Sequence, residues 1–276
     1  MKKIIFSAIV LVLLGCGQNS FLDDTINELG LRTGWLASQE KLDNIPQDIT
    51  PFSESIFSLP PSYSIENKFP PIGDQGQYGT CVAWAVGYSM KTALNGIERN
   101  WTSSDLRNSA NQTSPKDLWH TIPVRDKGLN CNGTNFEPAF DALISKGAQS
   151  LSQVPYSNMG NCSGASNGNA SNKLANYRKI AYNNELTGQT GKEGMDLGNF
   201  KGYIAQGRPI AIGARLGDRF MRWNSSAVIS SDTYNDPGMQ HAYHAMVLVG
   251  YDDSREAFRV LNSWGPSWGD RGSIWV

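Results

Sequence analysis

The stretch of sequence that most constrains the fold is a glycine-rich turn that ends in one cysteine. Residues 73–85 read Gly-Asp-Gln-Gly-Gln-Tyr-Gly-Thr-Cys-Val-Ala-Trp-Ala. Val82–Leu94 contains no proline, and Asn95-Gly96 is a helix-stop signal. With Thr80 as N-cap, a helix is predicted to begin at Cys81. The unpaired N–H groups and the dipole at a helix start stabilise a thiolate, the form that attacks a carbonyl carbon. The alternative is a small buried cysteine without a chemical role.

The two halves of the chain have different patterns. In the first half, Ser114-Pro115 and the capping box Thr134–Glu137 predict helix starts. The second half is predicted to hold the helix Leu197–Gln206 and the strands Tyr177–Tyr182, Pro209–Leu216, Ala245–Tyr251 and Ala257–Leu261. Helices followed by strands predict an α+β fold with two lobes, and the cleft between lobes is a natural place for a site.

Composition excludes several classes of function. The net charge of the 276 residues is −1, without a long basic or acidic run, so no nucleic-acid partner is predicted. Cys131 and Cys162 lack histidines at zinc spacing, so neither a metal nor another cofactor is predicted. The 28 glycines suit a loop-rich enzyme better than a helical bundle. The oligomeric state stays open.

The N-terminus has the pattern of an export signal. Two lysines precede the apolar run Ile4–Leu14, which is too short to span a bilayer permanently. The end of this run, Leu13-Leu14-Gly15-Cys16, resembles the lipobox of bacterial lipoproteins, and the resemblance implies that Cys16 is diacylated and becomes the new N-terminus. A lipid anchor would hold the chain at a membrane of the bacterial cell envelope, outside the cytoplasm. The alternative is an ordinary signal peptide with an incidental cysteine.

The export signal also determines how the domain boundaries and the other cysteines are interpreted. Residues 1–16 are predicted to be the signal peptide and residues 17–58 a polar tether, in which Trp35-Leu36 is a docking point. Residues 59–276 form the main domain. An extracytoplasmic location permits a disulfide between Cys131 and Cys162, worth roughly 3–4 kcal/mol in the chain-entropy model. The alternative is two free thiols.

A cysteine nucleophile needs a base and a group that orients the base. Of the three histidines, His244 stands at the start of a predicted strand, His241 lies in the preceding loop, and His120 is predicted to be a surface or packing residue. Asn262, at the end of the next strand, offers a side-chain oxygen to one ring N–H of His244. Trp264 is placed to cover that hydrogen bond and keep water from it.

Three motifs together resemble those of the papain-like cysteine peptidases. They are Gln75–Trp84, His244–Tyr251 and Asn262–Gly269, in that order, within a region from about Leu59 to the C-terminus. The resemblance implies a two-lobed fold with an N-terminal helical lobe, a C-terminal antiparallel β-barrel-like lobe and the active-site cleft between them. It also implies hydrolysis of peptide bonds in peptide or protein substrates through an acyl-thioenzyme.

The same resemblance assigns roles to single residues. Cys81 would be the nucleophile, His244 the general acid and base, and Asn262 the orienting residue. Gln75 would donate its side-chain amide to the oxyanion beside the backbone N–H of Cys81. In the turn between them, Tyr78 stands where the family usually has a cysteine.

The resemblance also places the substrate cleft. Asn132-Gly133-Thr134 is similar to the glycine pair along which a substrate backbone lies, with Thr134 in place of the second glycine. Gly133, Thr134 and Trp264 are therefore assigned to the substrate cleft. Val82 replaces a tryptophan of the family pattern. Residues 17–58 are much shorter than the family's helical propeptide, so they are expected to brace the domain rather than to inhibit it.

Two other functions fit parts of the sequence. A catalytically weak or inactive papain-like surface protein that binds peptides is favoured by Val82 and Thr134, and disfavoured by the complete catalytic set. A cysteine enzyme of cell-wall chemistry, an amidase or transpeptidase, shares a cysteine and a histidine but typically lacks Asn-Ser-Trp after the histidine strand.

Overall fold

The computed structural model describes residues 33–48, 59–159, 162–180, 197–232 and 242–276. Cys16 and the predicted signal peptide lie outside these residues. The α-helices are α1 Gln39–Asp43, α2 Thr92–Glu98, α3 Ser103–Arg107, α4 Pro115–Thr121, α5 Phe136–Ser145, α6 Leu197–Ala205 and α7 Asp218–Met221. The strands are β1 Ser62–Ser64, β2 Ile210–Leu216, β3 Ala242–Asp252, β4 Ala257–Leu261 and β5 Ser273–Trp275. None of the helices in the described part is long and apolar enough to cross a membrane.

The five strands form one curled antiparallel sheet around β3. Strand β2 pairs with the first part of β3 in the register Gly213–Ala245, and β1 pairs with its last residues in the register Tyr63–Tyr251. The other edge of β3 pairs with β4, and β4 pairs with β5. The pairing of β3 with β4 shifts register between Leu248 and Gly250, and such an irregularity increases the local bend and twist of a strand.

The side chains of β3 divide the interior into two cores. Ala245, Val247 and Val249 pack into the core of the helical half, whereas Met246 and Leu248 pack into the core enclosed by the sheet. This alternation is the period of two of a strand buried on both faces. Strand β3 is therefore the wall between the two lobes, and the predicted α+β fold with two lobes is confirmed.

The helix that begins at Cys81 runs through the centre of the helical lobe. It continues as widened π-type turns over Ala83–Lys91 and then as α2. The predicted end before Gly96 was wrong, because Gly96 lies inside α2, where an added Cβ would stand 2.9 Å from the Leu106 side chain. Gly96 therefore packs against α3 from the interior of the helix and is not a stop signal. Thr80 precedes the helix as predicted.

The other predicted elements agree with the structure in type more than in their ends. Ser114 caps α4 through the N–H of Asp117, and β4 has the predicted limits. The capping box at Thr134 was wrong, because α5 begins one residue later and the Thr134 hydroxyl donates to the Asp126 carbonyl (2.7 Å). In the described part of Tyr177–Tyr182, residues 177–180, there is one isolated bridge and no strand.

Candidate active site

The start of the central helix places Cys81 against strand β3. The thiol is fully buried, and the backbone N–H groups of Ala245, Val82 and Cys81 itself are near enough to the sulfur to lower its pKa. Ala245 directly follows His244 on β3. The turn before the helix and the strand in the sheet thus bring the predicted nucleophile and the predicted base to one place, although 162 residues separate them along the chain.

His244 is held in one orientation by two neighbours. Its Nε2 lies 2.7 Å from Oδ1 of Asn262, and its ring stacks on Trp264 with a centroid distance of 4.5 Å. The amide oxygen only accepts, so Nε2 carries the hydrogen and Nδ1 of a neutral ring keeps its lone pair. Nδ1 has no hydrogen-bond partner among the described residues. This tautomer is the one a general base needs, and the predicted cover by Trp264 is present.

Gln75 is tied to the strand segment that carries Asn262. Its Oε1 accepts from the hydroxyl of Ser263 (2.7 Å), and its backbone N–H donates to the Ser263 carbonyl (2.8 Å). One N–H of the side-chain amide donates to the carbonyl of Tyr78 (2.8 Å). The second N–H of this amide remains for another acceptor.

Burial reverses the expected ionisation of the cysteine. Removal from water raises the pKa of the Cys81 thiol to about 12, although three backbone N–H groups lower it. Removal from water also lowers the pKa of His244 to about 4, against the raising effect of Asn262. Desolvation outweighs the hydrogen bonds to the sulfur, so burial favours the thiol over the thiolate predicted at the helix start. Both groups are neutral here.

Residues 34–36, called the cover segment below, lie along the predicted substrate cleft. The N–H of Thr134 donates to the Gly34 carbonyl, and the N–H of Leu36 donates to the Thr134 carbonyl, both at 2.9 Å. On the opposite side, the carbonyl of Tyr243 accepts from the N–H groups of Gly34 (3.3 Å) and Trp35 (3.2 Å). The cover segment therefore bridges the loop before α5 and the strand that carries His244.

The contacts of the cover segment are too close for larger residues. A Cβ added to Gly133 would stand 2.3 Å from the Gly34 carbonyl oxygen, and one added to Gly34 would stand 2.4 Å from the Gly79 carbonyl oxygen. Trp35 is 5% exposed and packs against Phe136. The docking predicted for Trp35-Leu36 is confirmed.

Trp35 fills an apolar pocket at the cleft. Its ring lies 5.7 Å from the Phe136 ring and 6.0 Å from the Tyr243 ring, measured between centroids. An added Cβ on Gly213 would stand 2.4 Å from the indole, so the absence of a side chain there makes room for it. The indole N–H has no hydrogen-bond partner among the described residues. Apolar packing therefore holds the side chain of Trp35.

The structure thus brings together the predicted residues Cys81, His244, Asn262 and Gln75, with Trp264 over the histidine. Gly133 and Thr134 line the groove that the cover segment fills. The Cys131–Cys162 disulfide is formed, and the amine of buried Lys127 donates to the Cys162 carbonyl (2.6 Å). In the described part of the chain, no group of three or more His, Cys, Asp or Glu residues is placed to hold a metal ion.

Sequence reasoning missed two features of the site. One is the position of the cover segment inside the cleft, for which the tryptophan in a polar stretch was the available signal. The other is Tyr156, whose hydroxyl contacts both Gln75 and Thr80. No local pattern indicates that contact, because it joins segments about 80 residues apart.

Comparisons with known proteins agree with this geometry. Cathepsin B-like CP1 of Giardia intestinalis is 25% identical over 250 residues, which cover 82% of this chain and 71% of that protein. Cysteine proteinase 2 of Entamoeba histolytica is 29% identical over 218 residues, which cover 76% of this chain and 60% of that protein. Vignain of Phaseolus vulgaris is 26% identical, and the match covers 80% of this chain and 55% of vignain.

Solved structures show the same fold. The crystal structure of xylellain, a cysteine protease from Xylella fastidiosa, has a TM-score of 0.65 at 22% identity, with 88% of this chain and 87% of that chain covered. Digestive procathepsin L2 of Tenebrio molitor has a TM-score of 0.62 at 23% identity, with 94% and 77% covered. The predicted papain-like fold is confirmed. Residues 60–276 match the family described as papain family cysteine protease, and the chain therefore belongs to that family.

Proposed function

We propose that this chain hydrolyses peptide bonds through an acyl-thioenzyme formed on Cys81. The observation that carries the proposal is the state of His244: Nε2–H is bound to Asn262, and Nδ1 is without a partner among the described residues, on the strand that contacts the sulfur. A cysteine with a correctly oriented imidazole is the arrangement needed for nucleophilic catalysis. Buried groups with strongly shifted pKa values in a cleft are typical of active sites.

In the first step, Nδ1 of His244 takes the thiol proton and the sulfur of Cys81 attacks the peptide carbonyl carbon. The resulting oxyanion accepts hydrogen bonds from the backbone N–H of Cys81 and from the free amide N–H of Gln75. The imidazolium then gives its proton to the leaving amine as the C–N bond breaks, and a thioester remains. Loss of one oxyanion donor typically costs about 100–1,000-fold in turnover.

In the second step, water replaces the amine. Nδ1 of His244 accepts a proton from the water, whose oxygen attacks the thioester carbonyl carbon. The carbon–sulfur bond breaks, the carboxylic acid leaves, and the proton returns to the sulfur. The hydrogen bond to Asn262 keeps the ring in place through both steps.

The closed arrangement corresponds to a latent state of the enzyme. The cover segment occupies the groove between Thr134 and Tyr243 in which a substrate backbone would pair. Cys81 and His244 are buried and neutral beneath the closed cleft. Release of the cover segment would readmit water and substrate, and solvation would favour the thiolate–imidazolium pair. In this proposal the cover segment inhibits the domain, in contrast to the expectation that residues 17–58 only brace it.

The test uses the full chain and two variants. Trp35→Ala opens the cleft, and the double variant Trp35→Ala/Cys81→Ala removes the nucleophile from the opened chain. A peptide library and a thiol-directed epoxide are incubated with each protein. We expect cleavage and labelling of Cys81 in the opened chain and neither in the double variant. Cleavage by the double variant would refute the mechanism. Peptide binding without labelling in the opened chain would favour the binding protein.

The proposed location is the bacterial cell envelope, with the enzyme anchored by lipid on Cys16. The support is the charged start, the short apolar run and Gly15-Cys16. The test is labelling of cells with a fatty-acid analogue that reports acylation. We expect a labelled, membrane-bound chain and loss of both properties in Cys16→Ala. An unlabelled chain that is released after cleavage would show an ordinary signal peptide instead.

A further inference from the structure

Tyr156 lies outside the catalytic set, in the segment that follows α5, and its hydroxyl reaches the turn before the nucleophile. The phenolic oxygen is 2.9 Å from the backbone carbonyl oxygen of Gln75 and 2.6 Å from the side-chain oxygen of Thr80. The ring packs edge-on against Trp84, with 4.8 Å between centroids, and against Tyr78 at 6.3 Å. Tyr156 is partly buried.

The directions of the two hydrogen bonds follow from the groups. The carbonyl of Gln75 only accepts, so the single hydroxyl hydrogen of Tyr156 goes to it. Thr80 must then donate its own hydroxyl hydrogen to the Tyr156 oxygen. One oxygen atom therefore joins residue 75 to residue 80, the two ends of a turn that contains Gly76 in the left-handed region (φ 58°).

The two ends of this turn carry the two donors assigned to the oxyanion. Gln75 supplies its side-chain amide, and Thr80 directly precedes Cys81, whose backbone N–H is the second donor. The disulfide present among the described residues, Cys131–Cys162, does not include this turn. A change in the distance between residues 75 and 80 would move one donor relative to the other. Displacements of about 1 Å in such geometry cost about 100-fold in rate.

We propose that Tyr156 is a positioning residue that sets the distance between the two oxyanion donors. The inference rests on the proposed function, because it concerns the oxyanion of that reaction. Tyr156 is not assigned a contact with the reacting atoms. It acts through Gln75 and Thr80.

The chain offers a matched control. Tyr88 packs on the same indole, with 4.8 Å between the centroids of its ring and the Trp84 ring, and its hydroxyl donates to the Pro71 carbonyl at 2.8 Å. Tyr88→Phe therefore removes a tyrosine hydroxyl beside the same tryptophan without touching the turn. Tyr156→Phe keeps the ring and removes both links. Both variants are made in the full chain carrying Trp35→Ala, so that the cleft is open.

Three measurements separate positioning from a structural role. We expect Tyr156→Phe to lower kcat roughly tenfold or more, with KM within about twofold of the parent value. We also expect it to weaken the binding of a peptide aldehyde roughly tenfold, because the aldehyde adduct places an oxygen at the same two donors. Alkylation of Cys81 by iodoacetamide forms no oxyanion, so its rate should change less than about twofold. Tyr88→Phe should leave kcat, aldehyde affinity and alkylation within about twofold.

Other outcomes would overturn the proposal. They are equal effects of Tyr156→Phe and Tyr88→Phe, or an alkylation rate that falls as far as kcat does. If Tyr156→Phe does not fold, Thr80→Val removes one of the two links from the other side and should lower kcat and aldehyde affinity by roughly threefold; no change would again overturn the role. If the parent chain binds the aldehyde but cleaves no peptide, the proposed function fails while aldehyde affinity still decides the positioning role. Absence of aldehyde binding overturns both.

Discussion

Replacing Trp35 with alanine is expected to raise the activity of the intact chain by about 30-fold. The indole is 5% exposed and fills the pocket formed by Phe136, Tyr243 and Gly213. Truncating a buried tryptophan to alanine costs about 3–5 kcal/mol. The buried indole N–H without a partner destabilises the closed state by about 1–3 kcal/mol, and the substitution removes this destabilisation. The net loss of closure free energy is about 2 kcal/mol, or about a 30-fold larger open fraction.

The assay is the initial rate of cleavage of a fluorogenic peptide, together with the rate at which an epoxide labels Cys81. The matched control is Trp35→Phe, which keeps a ring against Phe136 and Tyr243 and removes the unpartnered N–H. We expect that variant to stay within about threefold of the unchanged chain. General destabilisation lowers activity, so a rise cannot arise from misfolding. Equal rates for the alanine variant, the phenylalanine variant and the unchanged chain, at equal thermal stability, would refute the role of the cover segment.

Three further predictions concern the catalytic pair and the disulfide. Asn262→Ala in the opened chain should lower kcat about 5–150-fold, because His244 loses a buried hydrogen bond worth about 1–3 kcal/mol; unchanged kcat would contradict its orienting role. Burial lowers the pKa of His244 to about 4. Below about pH 6.5 the unfolded chain binds a proton at this histidine and the folded chain does not, so the free energy of unfolding falls as the pH drops from 6.5 towards 4, by up to about 1.4 kcal/mol per pH unit. Urea unfolding should show a weaker pH dependence for His244→Gln. Cys131→Ala/Cys162→Ala should lower the free energy of unfolding by roughly 3–4 kcal/mol, measured by urea denaturation, and an unchanged value would show that the bridge does not constrain the unfolded chain.

Elements set by local rules were predicted well. The limits of β4 agree with the structure, and Ser114 caps α4 as expected, because a short strand-forming run after a turn and a capping hydroxyl both act within a few neighbours. Predictions failed where distant packing overrides such rules. Gly96 continues a helix because the Leu106 side chain lies against it, and Thr134 bonds to Asp126 rather than to the start of α5.

The sequence alone indicated the identities, the order and the chemical types of the residues proposed for catalysis, together with the two-lobed fold that brings them close together. Only the tertiary structure decided their ionisation, since the opposite pKa shifts of Cys81 and His244 come from burial and not from neighbours in sequence. It likewise decided that Trp35 lies in the cleft and that Tyr156 holds the turn. These contacts depend on where remote segments meet when the two cores pack, and the local pattern of a short stretch of sequence does not predict such a meeting.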